Sequence, residues 1–461
     1  MALIKSISGI RGTIGGRAGE NLTPQDIVEC AAAYGYWLLQ RGRSPKVVIG
    51  RDARISGEIV SNLVVNTLRA LGITVVDLGL STTPTVEMAV PEEGAGGGII
   101  LTASHNPRQW NALKLLDDKG EFISQADGDA FLALLEGGAI EYAPITSLGD
   151  YVMKPDYLGR HIEKILALPL VEPEKVAQQA YRIVVDCINS SGSLAIPPLL
   201  DALGCEYVLL NGEPNGHFSH NPEPLPDHLS ELSKAVVFHK AQLGIAVDPD
   251  VDRLAFVCED GDMFGEEYTL VAVADYILQH RPGNTVSNLS STRALKDVTL
   301  KYGGAYTPAA VGEVNVVAKM REVNAVIGGE GNGGVIYPDL HYGRDALVGI
   351  ALFLTHLARS GKSASQLRRQ YPSYFISKNK MELTPGIDLD RLLSQLEARY
   401  RQEEINTVDG LKIDLENGWI HLRRSNTEPI IRIYTESHSS VIADNLARKI
   451  QADILEVLKG A

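Results

Sequence analysis

The sequence predicts an α/β protein of several domains: three α/β units with mixed sheets, followed by a smaller α+β unit. Three observations carry that prediction. The chain has 461 residues, more than one hydrophobic core usually organises, so about two to four domains are expected. Short apolar runs that end in polar or glycine-rich loops alternate with helix-length segments as far as about residue 370, the pattern of an α/β fold. Beyond that point a two-strand hairpin and one long amphipathic stretch replace the alternation.

The first unit, residues 1–150, contains the strand-like runs Lys46 to Gly50, Thr74 to Gly79 and Gly96 to Leu101, with helix-length segments over Asp26 to Leu39 and Gly57 to Leu71 between them. The pattern restarts in a second unit, residues 151–253, at Arg182 to Asp186, Glu206 to Leu210 and Leu243 to Asp248. A third, residues 254–370, has helices expected over Tyr268 to Gln279 and near Val314 to Arg321, and a strand Ala325-Val326-Ile327 that enters a glycine cluster. In the fourth, residues 371–461, the runs Gly410 to Leu415 and Trp419 to Leu422 read as strands joined by a hairpin turn at Asn417-Gly418, and Val441 to Leu458 reads as a helix.

Charge and cysteine usage narrow the function. A formal net charge of -14 argues against a general nucleic-acid surface, so an anionic ligand has to be held by local basic groups and backbone amides. Cys30, Cys187, Cys205 and Cys258 show no metal or CxxC spacing and are expected to be reduced, packed thiols of a cytoplasmic protein. No signal-peptide core and no bilayer-spanning run is expected.

Four loops carry chemistry-bearing residues. Thr102-Ala103-Ser104-His105-Asn106-Pro107 delivers a hydroxyl just past an apolar strand. Ser104 is either a phosphate carrier, with nearly two negative charges when phosphorylated, or an ordinary turn serine. Asp248-Pro249-Asp250-Val251-Asp252-Arg253 sets three carboxylates at alternate positions after a strand, which suits magnesium; the alternatives are a charged surface turn or an EF-hand loop. The EF-hand fails because its sixth position needs glycine and here holds Arg253. Gly329-Glu330-Gly331-Asn332-Gly333-Gly334 sets polar groups among glycines, as a flexible turn or as a ligand loop where Glu330 accepts from sugar hydroxyls. Arg423-Arg424-Ser425-Asn426-Thr427-Glu428-Pro429, with Arg432 beyond, is either a solvated basic turn or a phosphate clamp. Arg11 stands on the glycine-bounded loop Gly9 to Gly12.

Together and in this order the motifs resemble the α-D-phosphohexomutase superfamily over essentially the whole chain. The resemblance implies four domains around a central cleft, each contributing one loop. It implies that Ser104 is the phosphoserine and that Asp248, Asp250 and Asp252 bind magnesium with a phosphoryl oxygen on Ser104. Lys114, with Arg11, becomes a candidate for proton transfer, provided its pKa is lowered, and His105 joins this catalytic group. Arg423, Ser425, Asn426, Thr427 and Arg432 would hold the distal phosphate, Glu330 and Asn332 would read the sugar, and Arg253 would contact the substrate. The implied reaction interconverts hexose 6-phosphate and 1-phosphate through a 1,6-bisphosphate, by positioning and charge neutralisation.

Many members have serine where Asn332 stands and histidine where Gly334 stands, and His341 is a candidate substitute for that histidine. The GEGNGG form looks closer to branches that include phosphoglucosamine mutases. Glucosamine phosphate is therefore the expected substrate, with glucose or mannose phosphate as the alternative. A phosphoserine-dependent phosphatase and a non-catalytic sugar-phosphate binder are the rival classes. The partner implied is a small phosphosugar, with no nucleic acid or membrane, for a monomer or homodimer.

Overall fold

The computed structural model describes residues 3–6, 9–383, 387–424 and 430–459. The chain divides into two compact units, Met1–Ile277 with Asn332–Arg368, and Leu278–Gly331 with Arg369–Ala461.

The first unit is built on two mixed sheets. One has seven strands in the order Leu3–Ser6, Gly9–Thr13, Trp110–Leu116, Gly97–Leu101, Lys46–Arg51, Thr74–Leu80 and Tyr151–Met153. Its last four strands are mutually parallel and the first three antiparallel. The parallel strands Lys46–Arg51 and Gly97–Leu101 are apolar almost throughout because both faces are covered. On one face Ile49, Ile99 and Leu101 pack with Tyr34, Trp37 and Leu68 of two covering helices. The helix Pro24–Gln40 starts where Thr23 and Asp26 form a capping box with proline in the first turn, which satisfies otherwise orphaned N–H groups.

The second sheet runs Leu254–Cys258, Leu243–Val247, Arg182–Asp186, Glu206–Leu210. Its last three strands are parallel, and Leu254–Cys258 pairs antiparallel with Leu243–Val247. The boundary expected after residue 253 thus falls between the two strands of this pair, and the aspartate loop is the turn that returns the chain to the same sheet. The helix Ala346–Ser360 is buried on nearly every side, which is why its sequence is apolar all round.

In the second unit, Tyr306–Ala309, Asn284–Asn288 and Ala325–Glu330 pair in parallel. A separate antiparallel sheet has the order Phe375–Glu382, Ile430–Ser437, Gly418–Arg424, Leu411–Leu415, Glu404–Asn406. Helices Leu389–Arg399 and Ser440–Lys459 cover it through Leu392, Leu396, Ile450 and Ile454 against Ile413 and Ile433. The hairpin turn lies one residue earlier than its sequence implies. Leu415 pairs with Gly418, so Glu416-Asn417 form the turn and Gly418 opens the strand. Glycine is needed there for close approach, since a Cβ would meet the Glu436 carbonyl at 2.0 Å. Among the described residues no helix is long and apolar enough to cross a membrane, and the four cysteines are buried.

His421 lies inside this second unit. Its Nε2–H donates to the Asp409 carbonyl at 2.8 Å and its Nδ1 accepts from Ser290 Oγ at 2.9 Å. Burial first, then the Lys412 and Arg423 charges, push its pKa down to about 4, although the bond to Asp409 opposes this. The unfolded chain takes up the proton near pH 6.5 and the folded one only near 4, so stability held above 6.5 is lost as pH falls through that window. Glu436, raised to about 6 mainly by burial, acts in the opposite sense: stability falls as pH rises from 4.5 through 6. Comparing wild type with His421→Gln in urea at pH 7 and pH 4.5 isolates the histidine, and wild type should lose about 2 kcal/mol more than the variant. Parallel pH curves would show that His421 does not titrate in this way.

Candidate active site

The loop after the strand Gly97–Leu101 carries Ser104 in a left-handed backbone conformation, φ 46°. That region is disfavoured for a residue with a side chain and persists only where surroundings enforce it. Thr102 Oγ1 accepts from Ser104 N at 2.9 Å and donates to Asp52 Oδ2 at 2.7 Å. Arg54, 1% exposed, spreads its guanidinium over four loop carbonyls: Nη1 donates to Pro107 at 2.8 Å and Trp110 at 2.9 Å, Nη2 to Asn106 at 2.7 Å and to Ser104. Asp52 Oδ2 accepts from Arg54 Nε at 3.0 Å. Burial raises the Asp52 carboxyl, and Arg54 opposes that rise.

Ser104 is buried, and its hydroxyl donates to Asp248 Oδ2 at 2.6 Å. Asp248, Asp250 and Asp252 are each at most 1% exposed, and one oxygen from each lies within 4.8 Å of the others. Val251 reaches φ 61° between them, a strained conformation for a β-branched residue. The turn also folds backbone N–H groups inward: Asp248 Oδ1 accepts from Asp252 N and Arg253 N, both at 3.1 Å.

Cations and hydroxyls from other segments meet this cluster. Lys114 Nζ donates to Asp250 Oδ2 at 2.8 Å and stands 3.7 Å from Asp252 Oδ2. Thr83 Oγ1 donates to Asp250 Oδ2 at 2.6 Å, and Arg344 Nη2 to Asp252 Oδ2 at 2.7 Å. Arg253 Nη1 pairs with Glu223 Oε1 at 2.9 Å. Burial, then Asp252 and Asp250, raises Asp248 well above the carboxylate range. Burial would also raise Asp250, but Lys114 and the hydrogen bonds it receives hold it low.

The same carboxylates outweigh burial at Lys114 and raise its pKa, so it is an ammonium here. His105 Nδ1 stands 3.5 Å from Ser104 Oγ. Burial, followed by Arg253 and Arg344, pushes its pKa down to about 2, which leaves the imidazole neutral. Arg11 pairs in register with Ala112, two residues from Lys114 on the adjacent strand, so Arg11 and Lys114 project from the same face of the sheet.

This cluster fits a hard divalent cation. Asp250 Oδ1 and Asp252 Oδ1 are buried without a hydrogen-bond partner, a costly state that a cation relieves. Three buried carboxylates with oxygen donors alone favour magnesium over softer metals.

Gly334 explains a departure from the family pattern in the loop Gly329 to Gly334. A Cβ there would meet Arg344 Cδ at 2.4 Å, so the stem of Arg344 takes the space a side chain would need. His341 does not point to that place: its Nε2 lies 3.3 Å from Asp345 Oδ2 and its Nδ1 3.5 Å from Glu87 Oε2. Asn332 Oδ1 accepts from Gly334 N at 3.2 Å.

The second unit holds Glu330, Arg423 and Arg432. Glu330, buried at the end of Ala325–Glu330, accepts from Asn288 Nδ2 at 2.8 Å and Gly312 N at 3.0 Å through Oε1. Arg423 faces Arg432 directly across two strands, and Arg432 faces Lys380 across the next pair. Directly opposed residues share a face, and like charges so placed repel. Arg423 Nε is partly compensated by Asp409 Oδ2 at 2.7 Å. Ser425, Asn426 and Thr427 lie outside the described residues.

Sequence reading missed Asp52, Arg54, Thr83, Arg344 and Lys380. Arg51-Asp52-Ala53-Arg54 follows a strand as the Ser104 loop does, and that parallel could have found Arg54. Lys380 leaves no local signal, since only strand register sets it beside Arg432.

A strand-end hydroxyl held against buried carboxylates, on mixed α/β sheets, places the protein among enzymes of phosphoryl transfer. Four successive segments match the phosphoglucomutase/phosphomannomutase family: alpha/beta/alpha domain I over residues 3–137, domain II over 159–261, domain III over 265–374 and the C-terminal domain over 385–452. The chain is 34% identical to a Methanopyrus kandleri protein named "Probable phosphoglucosamine mutase", over 98% of this chain and 97% of that one. It is 35% identical to a "Phosphoglucomutase/phosphomannomutase" of Thermococcus kodakarensis, over 93% and 94%. A solved structure of a phosphoglucomutase/phosphomannomutase family protein from Burkholderia thailandensis superposes with a TM-score of 0.85 at 27% identity, covering 99% of this chain and 97% of that one. The chain belongs to the phosphoglucomutase/phosphomannomutase family of phosphohexomutases, which are isomerases.

Proposed function

We propose that this enzyme interconverts glucosamine 6-phosphate and glucosamine 1-phosphate through a phosphorylated Ser104 and a 1,6-bisphosphate intermediate. The observation that carries the phosphoryl chemistry is the Ser104 hydroxyl 2.6 Å from Asp248 within a buried triad flanked by Lys114 and Arg344. Asp248, Asp250, Asp252 and the Ser104 oxygen would hold magnesium, which supplies neutralisation of phosphoryl charge. Lys114 and Arg344 orient Asp250 and Asp252. Neutral His105 is a hydrogen-bond partner beside the serine, and Arg11, on the face that bears Lys114, is assigned to the substrate hydroxyl. Arg253 is assigned to substrate contact.

Distal phosphate is assigned to Arg423 and Arg432, together with Ser425, Asn426 and Thr427, and Lys380 joins them. The row Arg423, Arg432, Lys380 supports this, because an anion relieves the repulsion among its members. Glu330 and Asn332 are assigned to the sugar, and a carboxylate at 330 suits the ammonium of glucosamine. The Methanopyrus relative's name supports that sugar, whereas the Thermococcus relative's name favours glucose or mannose phosphate. The cysteines, without metal or CxxC spacing, support reduced thiols in a cytoplasmic enzyme, which we take to act on small phosphosugars as a monomer or homodimer.

Turnover of glucosamine, glucose and mannose 6-phosphates by the magnesium-loaded enzyme tests the assignment. The glucosamine ester should have the highest kcat/KM. A clear preference for mannose phosphate would overturn the sugar, and steady phosphate release without isomer formation would overturn the mutase reading. Lys380→Ala should raise KM roughly 10-fold while changing kcat less, as loss of one charge-assisted contact; an unchanged KM would remove Lys380 from the phosphate site.

A further inference from the structure

A second convergence of metal-ligand side chains lies in the first unit, apart from the aspartate triad. His161, on the helix Tyr157–Leu166, is 2% exposed. Its Nε2 lies 2.8 Å from Asp345 Oδ2 and its Nδ1 2.9 Å from Thr85 Oγ1. His341 approaches the same oxygen, with Nε2 at 3.3 Å from Asp345 Oδ2, while its Nδ1 stands 3.5 Å from Glu87 Oε2. Asp345 caps the helix Ala346–Ser360 with its other oxygen, since Oδ1 accepts from Leu347 N at 2.8 Å and Val348 N at 3.3 Å. Oδ2 is thereby aimed between the two imidazoles.

Spacing and proton inventory both point to a cation. A tetrahedral ion with bonds of about 2.0–2.1 Å has ligand-to-ligand edges of about 3.3 Å, close to the 2.8 and 3.3 Å found here. One ligand atom from each of His161, His341 and Asp345 lies within 4.8 Å of the others. A neutral imidazole has one N–H, yet each nitrogen of His341 faces a carboxylate. If an ion takes both Nε2 lone pairs, each Nδ1–H is free to donate outward, to Thr85 Oγ1 from His161 and to Glu87 from His341. That outer pattern, ligand histidine to oxygen acceptor, is the usual support of a metal site.

The site also has an approach. A cavity of about 300 Å³ lined by Glu87, Lys119, Glu121, His341 and Tyr342 meets it at the His341 edge, where a water could complete a fourth position.

We propose that His161, His341 and Asp345 bind a divalent ion of the zinc class, with Thr85 and Glu87 orienting the histidines. Two imidazoles select zinc, cobalt or nickel over magnesium, which separates this site from the oxygen-only triad. The ion would join three segments distant in sequence: the helix Thr83–Glu92, the helix Tyr157–Leu166 and the start of Ala346–Ser360. Its role is to fix their packing.

The test uses the full chain, stripped by chelator and held in excess magnesium so that the triad is filled, then titrated with cobalt(II). One equivalent should bind with the intense visible bands of a tetrahedral nitrogen and oxygen site, and zinc should displace it and raise Tm. His341→Asn should weaken cobalt binding at least ~100-fold and Glu87→Gln roughly 10-fold, whereas Asp248→Asn should leave it unchanged. X-ray absorption of the zinc-loaded wild type should show two imidazoles per ion, a readout that does not depend on any variant folding. No cobalt binding in wild type, zinc without imidazole scattering, or binding lost in Asp248→Asn but retained in His341→Asn would overturn the proposal.

Discussion

Ser104→Ala is expected to reduce mutase turnover at least ~10³-fold, about 4 kcal/mol of transition-state stabilisation, while Tm changes by only a few degrees. The hydroxyl is the phosphoryl carrier in the proposed reaction, and alanine removes the only atom that can accept and return the group. The fold should survive because the loop is held mainly through its backbone, by Arg54 on its carbonyls and Thr102 on Ser104 N. Intact mass gives a second measurement: wild type treated with a hexose 1,6-bisphosphate should gain one phosphoryl group, and the variant none. Retained turnover in Ser104→Ala would remove Ser104 from the mechanism, whatever the sugar proves to be.

Arg54→Met should strongly destabilise the first unit. It leaves Asp52 buried without its cation and withdraws the donors from the carbonyls of Ser104, Asn106, Pro107 and Trp110. Breaking one partner of a buried ion pair costs about 3–5 kcal/mol. The double change Asp52→Asn with Arg54→Met should recover part of that loss, because no uncompensated charge remains. It should not restore turnover, since the guanidinium that grips the Ser104 and Asn106 carbonyls is then gone and only the bond from Ser104 N to Thr102 supports the left-handed conformation. Urea unfolding and kcat measured on both variants separate the two effects. Wild-type stability and kcat in Arg54→Met would show that the guanidinium does not organise the loop.

The α/β alternation was legible because strand and helix periodicities are local. Lys46–Arg51, Arg182–Asp186 and Leu243–Val247 form where their apolar runs place them, and the helix expected over Tyr268 to Gln279 spans Glu266–His280. The four loops were legible for a related reason. Each follows a strand with a composition that packing does not require, such as three aspartates at alternate positions or glycines around one carboxylate.

The break expected after residue 253 illustrates the limit. Charge and proline marked a loop correctly, but composition does not say whether the next strand joins the same sheet or opens another. Leu254–Cys258 pairs with Leu243–Val247 because its apolar residues complete a sheet already half built. Gly418 shows the same limit on a smaller scale, as a turn-type residue used inside a strand where the Glu436 carbonyl comes close.

By itself, then, the sequence determined the class of fold and the membership in a phosphohexomutase family, because strand and helix periodicity and the loop motifs are written at short range along the chain. Only the tertiary structure decided which partners they meet. Arg54 on the Ser104 loop, Arg344 on Asp252 and in the space beside Gly334, Lys380 in register with Arg432, and His161 with His341 on Asp345 are contacts made by sheet register, left-handed turns and helix packing. Such contacts depend on how long segments stack in space, and no spacing along the chain records that.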